Sequence, residues 1–336
     1  MKHPTIHDVA ARAGVSKSLV SLVMRGADNV SDEKRAAVLV AARALGYRPN
    51  LAARSLVRRR SQILGVLVSD LHNPFFLDAI DGIAAESLER DYRALLGTGH
   101  LVEARETLAI DTLLELRVDG LLLLSPRVPI SVVEDAGSSV PTVVLGRTSR
   151  SRVFDSIAGD ESIGGGLVVD HLVATGHKRI AHIHGGRGAA AVPRRASYER
   201  AMKRNGLDEY IQSIPGGYTE AGGMEGMRRV LALEPLPTAV FAANDLSALG
   251  ALEVLDGEGI DVPGDMSLVG YDNLKEVDYH RIALTTVDQP TYDMGQAAVE
   301  LVLERLEEGR SEAKHVVLPP SLVVRSTTAP PRTRRW

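Results

Sequence analysis

The chain is most constrained by a series of short, almost wholly apolar runs that alternate with stretches of helical character. ILGVLVSDL, from Ile63 to Leu71, reads as a buried strand. Strands also fit Tyr92–Gly97, Gly120–Leu124, Thr142–Leu145, Ile180–Ile183, Ala239–Ala242 and Ser267–Tyr271. Helices fit Phe75–Glu89 and Val102–Leu116, with further helical stretches between the later strands. A run with no polar face belongs to a strand covered on both sides, and strands alternating with helices build parallel sheets. The expected body is therefore α/β and doubly wound, divided by its length into two lobes. Such lobes bind ligands at the C-terminal ends of their strands, facing a cleft.

At 336 residues the chain has room for two or three domains, and its 44% apolar and 24% charged content is ordinary for a globular protein. The absence of Cys excludes disulfides and thiolate metal sites and fits a reducing cytoplasm. No apolar h-region follows Lys2, and no run approaches the roughly 18 apolar residues of a membrane span. A cytoplasmic protein with no membrane partner is expected.

Ahead of the body, Thr5 and Asp8 form a capping-box-like helix start, followed by Ile6, Val9, Ala10 and Ala13 at helical spacing. Gly14 suits the left-handed end of that helix, and Val15 plugs the turn. Ser16 is a good N-cap for a second helix, Lys17 to Met24, that buries Val20 and Val23. Ser31, Asp32 and Glu33 open a third helix carrying Val38, Ala41, Ala42 and Leu45, closed near Gly46. Ala10, Gly14 and Val20 fall where a helix-turn-helix needs a small residue, a turn glycine and a buried branched residue. In that motif the second helix enters the major groove, and here it would present Lys17, Ser18, Ser21 and Leu22. A plain three-helix bundle shows the same pattern.

Pro49 breaks the third helix. The segment Leu51–Leu56 is helix-capable but too short to persist alone in water. Charge singles out the same region. Residues 1–60 hold twelve Lys and Arg against four acids, a net +8 in a chain of total charge −4, which leaves −12 on the remainder. A basic head on an acidic body suits contact with a polyanion, although a solvated charge run has the same composition.

The stretches TIHDVAARAGVS from Thr5, VS at Val20–Ser21, LGYRPN at Leu45–Asn50 and ARSL at Ala53–Leu56 resemble the lactose-repressor (LacI/GalR) family of bacterial transcription regulators. The resemblance continues through NPFF at Asn73–Phe76, GHKRIAHI at Gly176–Ile183, TAVFAANDLSALGAL at Thr238–Leu252, VPGDMSLVGYDN at Val262–Asn273, LTTVDQP at Leu284–Pro290 and PPSLVVRSTT at Pro319–Thr328. It implies a helix-turn-helix domain at 1–49, a hinge helix and linker at 50–61, and an effector-binding and dimerisation domain at 62–330, with a tail at 331–336. The body would resemble periplasmic sugar-binding proteins, with one lobe at about 62–159 and 290–318 and the other at about 160–289 and 319–330. The resemblance assigns DNA contacts to Thr5, Ser16, Lys17, Ser18, Ser21, Leu22, Asn29, Asn50, Ala53, Arg54 and Leu56. It implies that the hinge folds on DNA, pairs with its dimer mate and wedges Leu56 into the minor groove, where unstacking a base step is offset by the contacts a bend allows. Leu22 departs from the family, which often has Arg or another polar residue there. Leucine can touch a thymine methyl but cannot pair bidentately with guanine.

In the cleft, the resemblance marks Arg194, in the R-x-x-[GS]-[YW] pattern ending at Tyr198, as the arginine that grips effector hydroxyls or a carboxylate. Asp272 in VGYDN looks like the cleft aspartate, and Asn244 in AAND offers both a donor and an acceptor. Ser69, Asn73, Phe75, Phe76, Tyr218 and Gln289 complete the set, together with Arg147. The lesser alternative for Asp272 and Asn244 is that each caps a helix or serves a turn, and for Tyr218 the alternative is plain packing. Gly146 stands where the family usually has an acidic or other polar residue, which opens room for a bulkier or anionic effector.

Other signals are weak. Gly164-Gly165-Gly166 lacks the spacing of a dinucleotide fingerprint, His182 and His184 have no apparent third metal ligand, and no G-x-S-x-G elbow occurs. Neither a metal nor a cofactor is expected. The expected function is a transcriptional regulator, a repressor by the commoner family pattern. It would bind double-stranded operator DNA as a homodimer and respond to a sugar or related metabolite. Induction and corepression both fit. A solute-binding protein without a DNA role is the alternative, disfavoured by the basic head. A doubly wound enzyme comes third, for want of a catalytic constellation.

Overall fold

The computed structural model describes residues 4–24, 26–27, 29–48, 60–186 and 190–332. Two compact units divide the chain, Met1–Gln62 and Ile63–Trp336.

The first unit holds three helices, α1 (Ile6–Ala13), α2 (Lys17–Met24) and α3 (Asp32–Leu45). The Thr5 N–H and hydroxyl both donate to the Asp8 carboxylate at 2.7 Å, fixing the start of α1. Gly14 ends it at φ 64°, where a Cβ would be strained, and the Val15 N–H returns to the Ala10 carbonyl at 3.1 Å. The Ser16 hydroxyl oxygen accepts the Leu19 N–H at 3.2 Å and so caps α2. Val9, Val20 and Val38 meet at the centre with no exposure, and Ala10, Val23, Val30, Ala41 and Ala42 surround them. The helix boundaries and the buried face match those read from the spacing.

The second unit opens with a six-stranded sheet. Its strands are β1 (Ile63–Val68), β2 (Arg93–Thr98), β3 (Gly120–Leu124), β4 (Thr142–Leu145) and β5 (Asp155–Gly159), joined from far along the chain by β11 (His315–Leu318). The order is β11-β5-β4-β3-β1-β2, parallel throughout. A second sheet comprises β6 (Ile180–His184), β7 (Gln212–Pro215), β8 (Ala239–Phe241) and β9 (Ser267–Val269) in the order β7-β6-β8-β9, also parallel. β10 (Thr286–Asp288) and β12 (Ser321–Val323) form an antiparallel pair. The chain thus passes between the sheets three times, near Asp160, near Gln289 and near Pro319.

Alternation along each strand sends successive side chains to opposite faces. Leu64, Val66 and Val68 of β1 pack under α4 (Phe75–Glu89) and α11 (Thr291–Glu307), whereas Leu67 packs under α5 (Glu103–Glu115) and α6 (Ile130–Ser139). In the second sheet, Ala181 and Ile183 face α9 (Glu220–Leu231) and α10 (Asp245–Gly257). Ile180, Phe241 and Val269 face α7 (Glu161–Ala174) and α8 (Ala191–Arg204). This two-sided burial explains why the strands read as unbroken apolar runs.

Three strands are shorter than the sequence suggests. β1 stops at Val68 rather than Leu71; just beyond it the Ser69 hydroxyl lies 3.0 Å from the Leu124 carbonyl and 2.8 Å from that of Ser125, to which it donates. β8 and β9 end at Phe241 and Val269. Beyond them the backbone turns to bring polar residues to the strand ends.

Helices α4 and α11 cross with reciprocal glycines in contact. A Cβ on Gly82 would stand 2.2 Å from the Tyr292 carbonyl oxygen, and one on Gly295 would stand 2.2 Å from that of Ala79. Gly295→Ala is therefore expected to lower body stability by about 1–3 kcal/mol in chemical unfolding, the range for overpacking a close contact. Gly257→Ala, where nothing lies within 4 Å of the added carbon, should stay within about 0.5 kcal/mol of the parent or exceed it. Equal losses in the two variants would argue against the close crossing.

Candidate functional site

In the head, Ser16, Lys17 and Ser18 are exposed at the first turn of α2, Asn29 is exposed beyond its end, and Ser21 is half-buried. The free N–H groups of a helix start and the Lys17 ammonium together attract phosphate and leave side chains aimed outward. Thr5 is exposed, with both its donors committed to Asp8. Leu22 is half-buried and packs against the head core. It serves the fold of the head with at least part of its surface. Asn50, Ala53, Arg54 and Leu56 lie outside the described residues.

In the second lobe stand five of the ten effector-site residues named from the sequence, Arg194, Tyr218, Asn244, Asp272 and Gln289. Arg194, in α8, is buried. Its Nε and Nη2 donate to the two oxygens of Glu161 at 2.9 and 2.8 Å, and Nη1 donates to the Ala243 carbonyl. The guanidinium lies 3.4 Å from the centre of the Tyr271 ring and 5.9 Å from that of Tyr218. Burial opposes its charge, but the Glu161 carboxylate outweighs that and holds Arg194 protonated well above its usual range. Glycines make the pairing possible. A Cβ on Gly165 of α7 would stand 3.0 Å from the Arg194 carbonyl oxygen, so only a glycine lets α7 approach α8 this closely.

Asp272 follows β9 at φ 114° and accepts the Gln289 Nε2–H at 2.8 Å. Burial pushes its carboxyl up to about 8, against the pull of the Arg194 charge. Asn244 accepts the Ser247 N–H at 3.0 Å, capping α10, and its Nδ2 reaches the Tyr218 carbonyl at 3.4 Å. Its amide thus holds the rim together whatever else it touches. The Tyr218 hydroxyl is buried without a hydrogen-bond partner, and burial raises it to about 12. A Cβ on Gly185 would stand 2.2 Å from that ring, so the glycine after β6 makes its seat.

In the first lobe, the Ser69 hydroxyl is buried on two carbonyls and positions the neighbouring strand ends. Asn73 accepts the Phe75 N–H at 3.0 Å and turns the chain into α4. Phe76 is buried in the core of its own lobe, whereas Phe75 packs against the cores of both lobes and meets Phe76 edge to face at 5.3 Å. Gly146, at φ 88°, leaves only 2.4 Å between an added Cβ and the Ser125 Oγ. A side chain there would be strained by that φ and would have to displace the Ser125 hydroxyl. Arg147 is half-buried, and its Nη2 has no hydrogen-bond partner. Burial lowers its pKa while the nearby Glu106 charge raises it.

Three acids escaped the sequence reading. Glu161 pairs with Arg194 from 33 residues away. Glu106 is fully buried in α5 and accepts the Arg127 N–H at 2.6 Å. Asp245, also fully buried, accepts the Thr286 hydroxyl at 2.6 Å and the Leu274 N–H at 2.8 Å, and burial raises it to about 7. Asp245 could have been suspected, as the second acidic or amide residue of AAND. The other two carry no motif. His182 is buried, with Nδ1 3.0 Å from the Phe241 carbonyl oxygen and its ring stacked on Phe241. Among the described residues no group of three His, Cys, Asp or Glu could hold a metal.

A helix-turn-helix unit in one chain with a two-lobed body whose strand ends carry polar side chains is the domain combination of a DNA-binding transcription regulator. Residues 5–50 match the pattern of the bacterial regulatory proteins of the lacI family, and residues 169–328 match the periplasmic binding protein-like domain. The chain is 33% identical to the HTH-type transcriptional repressor PurR of Erwinia tasmaniensis over 97% of each chain. It is 33% identical to the ribose operon repressor of Escherichia coli over 96% of this chain and 99% of that one. The structure of the lac repressor dimer bound to operator and the anti-inducer ONPF matches with a TM-score of 0.84 at 30% identity, covering 98% of this chain and 100% of that one. The chain belongs to the lacI family of bacterial regulatory proteins. No helix among the described residues is long and apolar enough to cross a membrane.

The raised carboxyls of Asp272 and Asp245 carry protons in the folded protein at a pH where the unfolded chain has lost them. Their contribution to stability is complete below the ordinary carboxylate range and is lost as the pH rises through about 7 for Asp245 and about 8 for Asp272. His182, held down near 3 by burial, acts below the ordinary imidazole range and leaves the window above neutrality to the aspartates. The thermal midpoint of the body is therefore expected to fall as the pH rises to about 8 and to level off above it, and Asp272→Asn should flatten that fall. An unchanged slope in the variant would exclude the assignment.

Proposed function

We propose that the protein is a cytoplasmic, homodimeric repressor whose grip on operator DNA is set by a sugar or related polyhydroxyl metabolite bound between the two lobes. The observation that carries this reading is the presence, in one chain, of an exposed Lys17–Ser18 helix start and a separate cluster of polar side chains, the buried Arg194 and Gln289 with the half-buried Asp272. The first suits a phosphate-lined groove. The second offers a fixed set of donors and acceptors in a low-dielectric site, the environment in which hydroxyl groups are told apart. The lac repressor structure, with its operator and ONPF, supports carrying both ligand types to this chain. Asn244, Tyr218, Phe75 and Arg147 are proposed to complete the effector site, with Ser69, Asn73 and Phe76 supporting it from behind.

A second copy is proposed to dock on the first lobe. There the edge strand β2 exposes Leu95 and Leu96, and α4 exposes Leu77 and Leu88. An open edge strand flanked by apolar side chains is a template for association. Two heads would then meet two half-sites, with residues 50–61 as the paired hinge. Effector binding need only favour one arrangement of the lobes to shift operator affinity. A non-catalytic role follows, with DNA and effector as the partners.

A gel-shift assay with genomic fragments tests the reading. Sequence-selective binding that falls steeply with salt is expected, and binding with neither property would overturn it. Lys17→Ala, at an exposed position, should reduce operator affinity about tenfold or more while leaving the thermal midpoint unchanged. Leu56→Ala should weaken specific binding well beyond non-specific binding, and equal losses would remove Leu56 as a minor-groove wedge.

A further inference from the structure

Both arginines assigned to the cleft face a carboxylate of the protein itself. Arg194 offers its flat, two-pronged edge to Glu161 at 2.8 and 2.9 Å, the same edge that would grasp a ligand carboxylate or phosphate. Its third nitrogen donates to the Ala243 carbonyl, which leaves two N–H groups, one on each Nη, for a ligand. Glu161 occupies the first turn of α7, directly after the chain crosses between the sheets, and keeps a little more exposure than the arginine it holds, 14% against 4%. Arg147 makes no ion pair among the described residues, but it sits in the field of the fully buried Glu106, one of whose oxygens has no hydrogen-bond partner. Each positive charge of the cleft is thus balanced within the fold. A ligand that brings its own negative charge would meet Glu161 in a site of low dielectric, where like charges repel strongly. A hydroxyl group meets no such penalty and can use the N–H groups that remain.

We propose that Glu161 is a specificity-determining residue which, by filling the fork of Arg194, confines the cleft to uncharged polyhydroxyl effectors and excludes their carboxylate and phosphate counterparts. This rests on the effector-cleft reading given above, and it removes the room for an anionic effector that Gly146 and Arg147 suggest in the sequence. The protonated Asp272 carboxyl fits the same balance, since at neutral pH it adds a donor and no charge.

The test uses the full-length protein and a panel of matched ligands. Neutral hexoses, pentoses, disaccharides and polyols are each paired with the corresponding uronate, aldonate or sugar phosphate, screened by thermal shift and titrated by calorimetry at low salt. At least one neutral member should bind, with its anionic counterpart at least about tenfold weaker. Anions that bind the parent protein as tightly as their neutral partners would overturn the specificity role and leave the effector cleft standing. No binding by any member would overturn the polyhydroxyl reading itself. Glu161→Gln frees the fork, and the anionic counterpart should gain about tenfold or more while the neutral ligand changes only a few-fold. Glu161→Asp, which keeps the charge, should retain the parent preference. If Glu161→Gln weakened both classes equally, Glu161 would be a structural brace alone. Should that variant fail to fold, the parent panel and the aspartate variant still decide the matter.

Discussion

A parallel sheet covered on both faces leaves its strand ends as the places where backbone polarity is not already absorbed by the ladder. In this body the central strands β1, β3 and β4 are almost wholly apolar, so much of the polar chemistry is displaced to the loops that follow the strands. Ser69, Gly146, Asn244 and Asp272 all stand within a few residues of a strand terminus. The cleft is a consequence of that displacement. The same constraint dictates what happens next, because a polar group brought to a buried strand end must find a partner or remain costly. Ser69 finds two carbonyls, Asn244 finds a helix start, and Asp272 finds Gln289 on a segment that passes between the sheets.

Glycine decides how close those partners can come. α7 reaches α8 through Gly165, and the approach sets Glu161 against Arg194. α4 reaches α11 through Gly82 and Gly295, which seats the helix bearing Phe75 against the core of its lobe. Phe75 in turn touches the cores of both lobes. Any change in the angle between the lobes must therefore repack that ring. Packed cores tend to have discrete alternative arrangements rather than a continuum. A ligand that alters the Phe75 contacts thereby biases the body between states.

Much of this was legible before any coordinates. The runs at Gly120–Leu124 and Thr142–Leu145 showed their strands to the residue, since burial on both faces removes every polar interruption. The edge strand β7, QSIP, and the three-residue strands β10 and β12 were not legible, because two or three residues carry no period and an edge strand need not be apolar. The helices of the head were readable from their caps, Thr5 with Asp8, Ser16 and Gly46. In the cleft the family motifs pointed to single residues and missed what balances them. Glu161 and Glu106 sit in unremarkable first turns, and their significance lies in contacts across tens of residues that no local pattern encodes. The hinge, most telling in the sequence, lies outside the described residues.

The position of Leu22 shows how a departure from a family pattern can be absorbed by packing. A leucine among base-reading positions looks like a lost hydrogen bond when the helix is read as a row of contacts. In the head, however, Leu22 is half-buried beside Leu19 and Met24, and its carbonyl accepts the Ala27 N–H at 3.1 Å as α2 ends. The side chain therefore adds apolar area to a small core in which every buried methylene counts. If α2 reads the major groove as proposed, discrimination among bases would fall more heavily on Lys17, Ser18 and Ser21. Of these, only Lys17 can approach a guanine edge as a cation, while the two serines can pair with any base. A reader built this way would recognise fewer positions within each half-site. The remainder of its selectivity would have to come from half-site spacing and from the deformability of the DNA at the dyad.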